Sequence, residues 1–184
     1  MMTKEELEEK QLSSELIYDG VVVHLYRDEV STPSGGQSVR EIVRHVGAVC
    51  VVPFEDGMVY MERQYRYPFE EVLTEIPAGK LDYSGEDLLE AAKRELREET
   101  GLTADKWTDL GPLYPTVAYT DERIELFMAE DLHSGQTDWD DDEFIDVYKV
   151  PLKDLLADVM DGKVPDGKTQ IAILKAARLC MGCT

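Results

Sequence analysis

The sequence predicts an α+β sandwich, a mixed sheet with helices on both sides, preceded by an N-terminal antiparallel β-meander. Three observations lead there. The elements run in the order strands, helix, strands, helices. Residues 48–54 form a continuous apolar run, the pattern of a strand buried on both faces. Residues 84–101 carry Leu88, Leu89, Ala92 and Leu96 at helical spacing, one apolar stripe that needs a packing partner. At 184 residues, 43% hydrophobic and 32% charged, the chain can bury a real core. We divide it into residues 1–45, the meander, and residues 46–184, the main domain.

In chain order, Thr3 followed by Glu6 has the form of a capping box and predicts a short polar helix to about Leu12. Residues 15–18, 20–30 and 38–45 alternate in part and read as strands, the last two separated by the Thr32-Pro33-Ser34-Gly35-Gly36 turn. Three strands of this size cannot bury themselves, so they must pack on the following domain or on another chain. Next come a strand at 48–54, a turn at Glu55-Asp56-Gly57, a returning strand at 58–64 and a strand at 71–76. The helix at 84–101 follows, with Ser84, Gly85 and Glu86 as its entry and Gly101 as its stop. Strands at 107–113 and 123–129 flank a loop, 114–122; a polar segment precedes a strand at 144–150. Helices at 151–160, with Pro151 at the N-terminus, and at 168–181 close the chain.

The net charge is −20, from 19 basic and 39 acidic residues, which argues against nucleic acid or an anionic membrane as a general partner. An anionic substrate would need local arginines and metal ions to offset that field. The opening MMTKEELEEK lacks the apolar core of a secretory signal, and no stretch approaches a membrane span. With only three cysteines, the expected setting is the cytoplasm. Cys50 belongs to an apolar run, and Cys180 and Cys183 form a lone C-x-x-C with no second pair, weak evidence for zinc or redox chemistry.

Glu95, Glu98 and Glu99 lie off the apolar stripe and, at about 100° per residue, within roughly a quarter-turn of one another. Such a triplet is either a solvated acidic face or a ligand set for a hard divalent cation. The surrounding residues favour the ligand set. The stretch RELREETGL, Arg94 to Leu102, satisfies R-E-U-x-E-E-x-G-U (U a bulky apolar residue) at every fixed position, and seven residues lie between Glu86 and Arg94. This resembles the Nudix box of hydrolases that split a nucleoside diphosphate linked to another group. One departure is a loop insertion: six residues separate Gly79 from Glu86, where the box has five. Glu95 and Glu99, one turn apart, are the primary ligand pair, and Glu98 binds or bridges a further ion. The resemblance implies that the Ala78 carbonyl completes the set, that Arg94 orients the carboxylates, and that Glu86 supports or joins them. The metal implied is Mg²⁺, with Mn²⁺ as a substitute.

The acidic run at 138–143 alone would pass for a solvated loop. The segment DEFIDVYKVP, however, is similar to one in ADP-ribose pyrophosphatases where a Glu just before a strand serves as base or extra ligand. Glu143 matches that position, with Asp140, Asp141 and Asp142 as alternatives. Further pieces of the same branch are GVVVHLYRD, REIVRHVGAV, QYR, EIPAGKL and DGKT, so the resemblance runs from about Ile17 to Leu179. In that branch the meander exchanges across a homodimer and helps form the partner's site. This makes Arg40 and Glu41 candidates for the nucleotide and Arg66 a candidate for phosphate. The ordinary alternatives are that Arg40 decorates a strand and that Arg66 pairs with Glu70 or Glu71. The loop PTVAYTDE lacks the Ser-Pro-Gly element of many members, although Glu122 fits its closing acidic residue. The resemblance therefore implies Mg²⁺-dependent hydrolysis of ADP-ribose to AMP and ribose 5-phosphate, with Glu143, Glu98 and Arg94 as the catalytic candidates. Rival readings are hydrolysis of another nucleotide sugar or a dinucleotide (GDP-mannose, NADH), and a Nudix fold that senses ADP-ribose without turnover. A Ca²⁺-binding scaffold built on DWDDDE lacks an EF-hand pattern.

Overall fold

The computed structural model describes residues 1–139 and 144–182. The chain forms two compact units, Met1–His45 with Thr116–Arg123, and Val46–Pro115 with Ile124–Thr184.

The first unit is an antiparallel sheet of β1 (Lys10–Asp19), β2 (His24–Ser31) and β3 (Gln37–Arg44), in that order. The capping box does form. Thr3 N–H donates to the Glu6 carboxylate at 2.8 Å, and Glu6 N–H donates to Thr3 Oγ1 at 3.4 Å. No helix to Leu12 follows it. A lone helical turn is marginal in water, and from Lys10 onward the backbone is committed to the ladder with β2. The second strand also starts later than the sequence suggests, at His24, because Gly20 N–H bonds the Val23 carbonyl and turns the chain. Asp28 is buried here, accepting from Gln11 Nε2 and Ser14 Oγ and pairing with Arg44 at 3.4 Å. Arg44 reaches Asp121 at 3.0 Å and Val43 bridges Thr120, which joins residues 116–123 to this sheet.

The second unit holds a seven-stranded sheet of β4 (Ala48–Glu55), β5 (Met58–Arg66), β6 (Glu71–Glu75), β7 (Ala78–Lys80), β8 (Leu102–Leu113), β9 (Ile124–Ser134) and β10 (Asp146–Pro151). Its order is β10-β5-β4-β9-β8, with β6 on β5 and β7 on β4. Only β4 and β9 run parallel, so the sheet is mixed. Helix α1 (Leu88–Thr100) covers one face and α2 (Leu152–Met160) with α3 (Gly167–Met181) the other. Alternation along β4 explains its unbroken apolar run. Val49 and Val51 pack toward α1 with Leu96 and Phe127; Cys50 and Val52 pack toward α2 and α3 with Leu126 and Ile173.

Helix α1 begins at Leu88, not at the Ser84-Gly85-Glu86 entry, because Asp87 is the cap and accepts from the Leu89 and Glu90 amides at 3.0 Å. It ends as the sequence predicts, with Gly101 left-handed at φ 70°. β8 and β9 are longer than predicted; their ladder continues through polar pairs such as Lys106 and Glu130. Among the described residues no helix is long and apolar enough to cross a membrane.

Candidate functional site

Pairing of β7 with β4 lays Ala78 and Gly79 against α1. Ala78 N–H donates to the Glu99 carboxylate at 2.8 Å. The Glu95 carboxyl lies so close to the Gly79 Cα that a Cβ there would stand 2.0 Å from its Cδ. Glu95 and Glu99 are buried, while Glu98 is half-buried beside them. Arg94 lies among the acids, 2.7 Å from Glu95, 3.4 Å from Glu98 and 3.5 Å from both Glu86 and Asp82. Burial works against its charge, but Glu95, Asp82 and Glu86 outweigh it and hold the Arg94 pKa above its ordinary value. The extra loop residue is absorbed without loss of Glu86. Gly85 takes φ 89°, Asp82 N–H donates to the Glu86 carboxylate at 2.8 Å, and Glu86 still faces Arg94. Gly79, Asp82, Arg94, Glu95, Glu98 and Glu99 are among the residues that line a cleft of about 220 Å³.

Among the described residues no three acidic, imidazole or thiol groups are gathered as a ready ion site, and Arg94 engages Glu95, Glu98 and Glu86. The donor set nevertheless fits a hard divalent cation. It is all oxygen, it is concentrated on one helix face, and a glycine makes room for one of its carboxylates. The next segment is tied to the same helix end: Asp138 N–H bonds the Glu98 carbonyl at 3.0 Å and Trp139 Nε1 bonds the Glu99 carbonyl at 2.8 Å. Glu143 and its alternatives Asp140, Asp141 and Asp142 lie outside the described residues, as does Cys183. Cys50 is buried, which pushes its thiol pKa far up, and Cys180 is exposed.

Arg66 pairs with neither Glu70 nor Glu71. It makes a two-pronged bond to Glu75, Nε to Oε1 at 2.7 Å and Nη2 to Oε2 at 2.9 Å. Glu75 is almost fully buried and also receives Lys168 Nζ, which in turn lies 3.1 Å from Asp166. Burial pushes the Glu75 carboxyl up; Arg66 and Lys168 more than reverse this and leave it below the ordinary carboxylate value. The Glu75 hydrogen bond is the main cause that raises the Arg66 pKa, with Glu62 and Glu99 adding to the field. Arg66 therefore stands within electrostatic reach of the carboxylate helix. The sequence reading assigned no role to Glu75 or Lys168. The available signal was a charged residue, Glu75, placed directly before Ile76-Pro77-Ala78 at the end of a strand.

The remaining predicted residues lie in the first unit. Arg40 bonds Glu9, Ser38 Oγ and the Val39 carbonyl, and with Arg44, Tyr119 and Asp121 it lines a cleft of about 230 Å³. Glu41 is exposed, opposite Arg27 in the ladder. Glu122 is half-buried with its N–H on Thr120 Oγ1. Its neighbour Asp121, not singled out from the sequence, holds both Arg44 and the His45 amide.

Known proteins bear out the Nudix resemblance. Residues 43–169 match the family model for the NUDIX domain. An ADP-ribose pyrophosphatase of Bacillus subtilis is 44% identical over 170 residues, 91% of each chain. A methanol dehydrogenase activator of Bacillus methanolicus is 40% identical over 90% of this chain and 91% of its own. GDP-mannose pyrophosphatases of Yersinia species are 33% identical over 85% of this chain and 84% of theirs. The crystal structure of an ADP compounds hydrolase, 24% identical, superposes with a TM-score of 0.85 over 95% of both chains and shares the fold. The glutamates and arginine of α1, the glycine that receives Glu95 and these matches lead to one conclusion: the chain belongs to the NUDIX domain family.

Proposed function

We propose that the protein is an Mg²⁺-dependent diphosphatase that hydrolyses ADP-ribose to AMP and ribose 5-phosphate. The observation that carries this reading is the seating of Glu95 on Gly79 and of Glu99 on the Ala78 amide, which fixes two carboxylates one helical turn apart. The likeness to the Bacillus subtilis ADP-ribose pyrophosphatase over nine-tenths of both chains supports the substrate. Nudix hydrolases generally use divalent metals; here Glu95, Glu99, Glu98 and the Ala78 carbonyl would hold the ion, with Glu86 as a supporting or further ligand. Bound Mg²⁺, or Mn²⁺ in its place, would supply charge neutralisation at the diphosphate and a water acidic enough to attack near neutral pH. Arg94 keeps the ligand carboxylates oriented through its bonds to Glu95, Glu98 and Glu86. Arg66 offers a guanidinium to a phosphate oxygen. Glu143, with Asp140, Asp141 and Asp142 as stand-ins, would act as base or extra ligand; the preceding Asp138 and Trp139 are anchored on the end of the carboxylate helix.

The test is release of AMP from ADP-ribose with Mg²⁺, beside GDP-mannose, NADH and a diadenosine polyphosphate. Preferential turnover of ADP-ribose, lost on chelation and regained with Mg²⁺, is the expected result. Preferential turnover of another panel member retires the substrate and keeps the chemistry. Binding of ADP-ribose without turnover of any compound retires the enzyme.

The protein would work as a homodimer with exchanged N-terminal strands, the meander at 1–45 lending Arg40, Glu41 and the Glu122 loop to a substrate site. In support, all ten residues of β1 are exposed, and Leu16, Ile17, Tyr18 and Val21 present apolar surface that a second copy would cover. Sedimentation velocity should give a dimer at micromolar concentration; a monomer there would retire the exchange. Free Cys50 and Cys180 suit a reducing, cytoplasmic setting.

A further inference from the structure

Glu75 and Lys168 form an ionic pair that the proposed reaction does not use. They are far apart in sequence and meet where Glu75 is almost completely buried and Lys168 largely so, a setting in which charges are retained only with good geometry and full hydrogen bonding. We propose that Lys168, acting through Glu75, positions Arg66 for the diphosphate of the substrate. It is a positioning residue, and the inference rests on reading Arg66 as the phosphate-facing arginine.

Each oxygen of Glu75 has a defined task. Oε1 takes Arg66 Nε, and Oε2 takes both Arg66 Nη2 and Lys168 Nζ. The two-pronged bond fixes the plane of the guanidinium. Among the described residues Arg66 Nη1 has no hydrogen-bond partner, and the side chain is 36% exposed, so one donor edge remains for an anion. Lys168 is itself fixed by the first turn of α3, where Asp166 caps the helix and lies 3.1 Å from Nζ. Thr169 Oγ1, in the same turn, accepts from Ile76 N–H at 3.0 Å. The turn thus grips β6 at its last side chain and at the backbone just beyond. Two residues further on, Ala78 N–H seats Glu99. One short segment therefore sets both Arg66 and a metal-ligand candidate.

Charge works in the same direction. Arg66 sits in the field of Glu62, Glu75 and Glu99. Lys168 offsets one of these charges; without it an incoming diphosphate would meet a more negative site and an Arg66 committed more fully to Glu75.

A tie that only stabilises the fold would lower the melting temperature and act on activity independently of Arg66. A positioning role acts on substrate binding and needs Arg66 to be present. The experiment is steady-state kinetics with ADP-ribose and Mg²⁺ on the full chain, comparing wild type, Lys168→Met, Arg66→Ala and the double variant, each with its melting temperature. Lys168→Met is expected to raise KM about tenfold with kcat changed less than about threefold, and Lys168→Arg to recover most of the loss. In the Arg66→Ala background the same substitution should add less than about twofold. An undiminished effect in that background, or an unchanged KM, overturns the proposal. If Arg66→Ala alone leaves KM and kcat as in wild type, the phosphate reading of Arg66 has failed and the positioning role falls with it. Where Lys168→Met does not fold, Lys168→Gln takes its place under the same coupling criterion. Failure of both to fold assigns the pair to structure alone and overturns the proposal.

Discussion

Glu99→Gln is expected to remove turnover while leaving the fold intact. The amide keeps the length of the side chain and an oxygen that can accept from Ala78 N–H, so the seating of α1 on β7 survives. What disappears is the negative charge, on a buried side chain that shares its helix face with Glu95 and Glu98. In the unliganded protein this relieves like-charge repulsion of a few tenths of a kcal/mol per pair and removes an attraction to Arg66 that opposes it, so the melting temperature should change little. In the working protein it removes an anionic oxygen from a hard cation, a loss on the order of a hundredfold or more in kcat at fixed Mg²⁺. Weaker Mg²⁺ binding by calorimetry should accompany it. Activity above about a tenth of wild type would show that Glu99 is a structural carboxylate and that the ion is held elsewhere on the helix.

The legible parts of this protein are those written over short distances in the chain. The apolar stripe of α1, its glycine stop and its carboxylates fall within a few turns, so period and motif report them directly. The two-sided burial of β4 is likewise visible in its unbroken apolar run. The N-terminal helix was misread because a genuine local signal, the Thr3–Glu6 box, competes with a ladder whose partner strand lies some twenty residues away. The Arg66–Glu75–Lys168 cluster around the buried Glu75 could not be read for the same reason. Lys168 looks like any first-turn lysine of an amphipathic helix until α3 packs on the sheet beside Glu75. Asp121 is a similar case, since its importance depends on Arg44 reaching it from another part of the chain. Charge pairs of this kind carry no period, and only the assembled sheet brings them together.

Gly79→Ala is the second large effect, and it separates function from stability at a single methyl group. The Cβ would stand 2.0 to 2.3 Å from the Glu95 carboxyl atoms, far inside van der Waals contact. The atoms it strikes are the end of a flexible side chain, and Gly79 does not need a left-handed backbone, so strain can be relieved by swinging Glu95 aside. The rest of the structure has little reason to respond. β7 keeps its pairing with β4, and Ala78 N–H keeps Glu99. The melting temperature should therefore move by no more than the equivalent of about 1 kcal/mol. The displaced carboxylate loses its place beside Glu99 as well as its 2.7 Å contact with Arg94, so one ligand and the group that orients it are disturbed together. A fall in kcat of about a hundredfold is expected, partly recovered at high Mg²⁺ because the remaining oxygens still attract the ion. Unfolding of the variant would mean that Glu95 is locked by packing and cannot yield. Full activity would mean that the carboxylate can leave Gly79 without cost to the ion, and Glu95 would lose its assignment as a ligand.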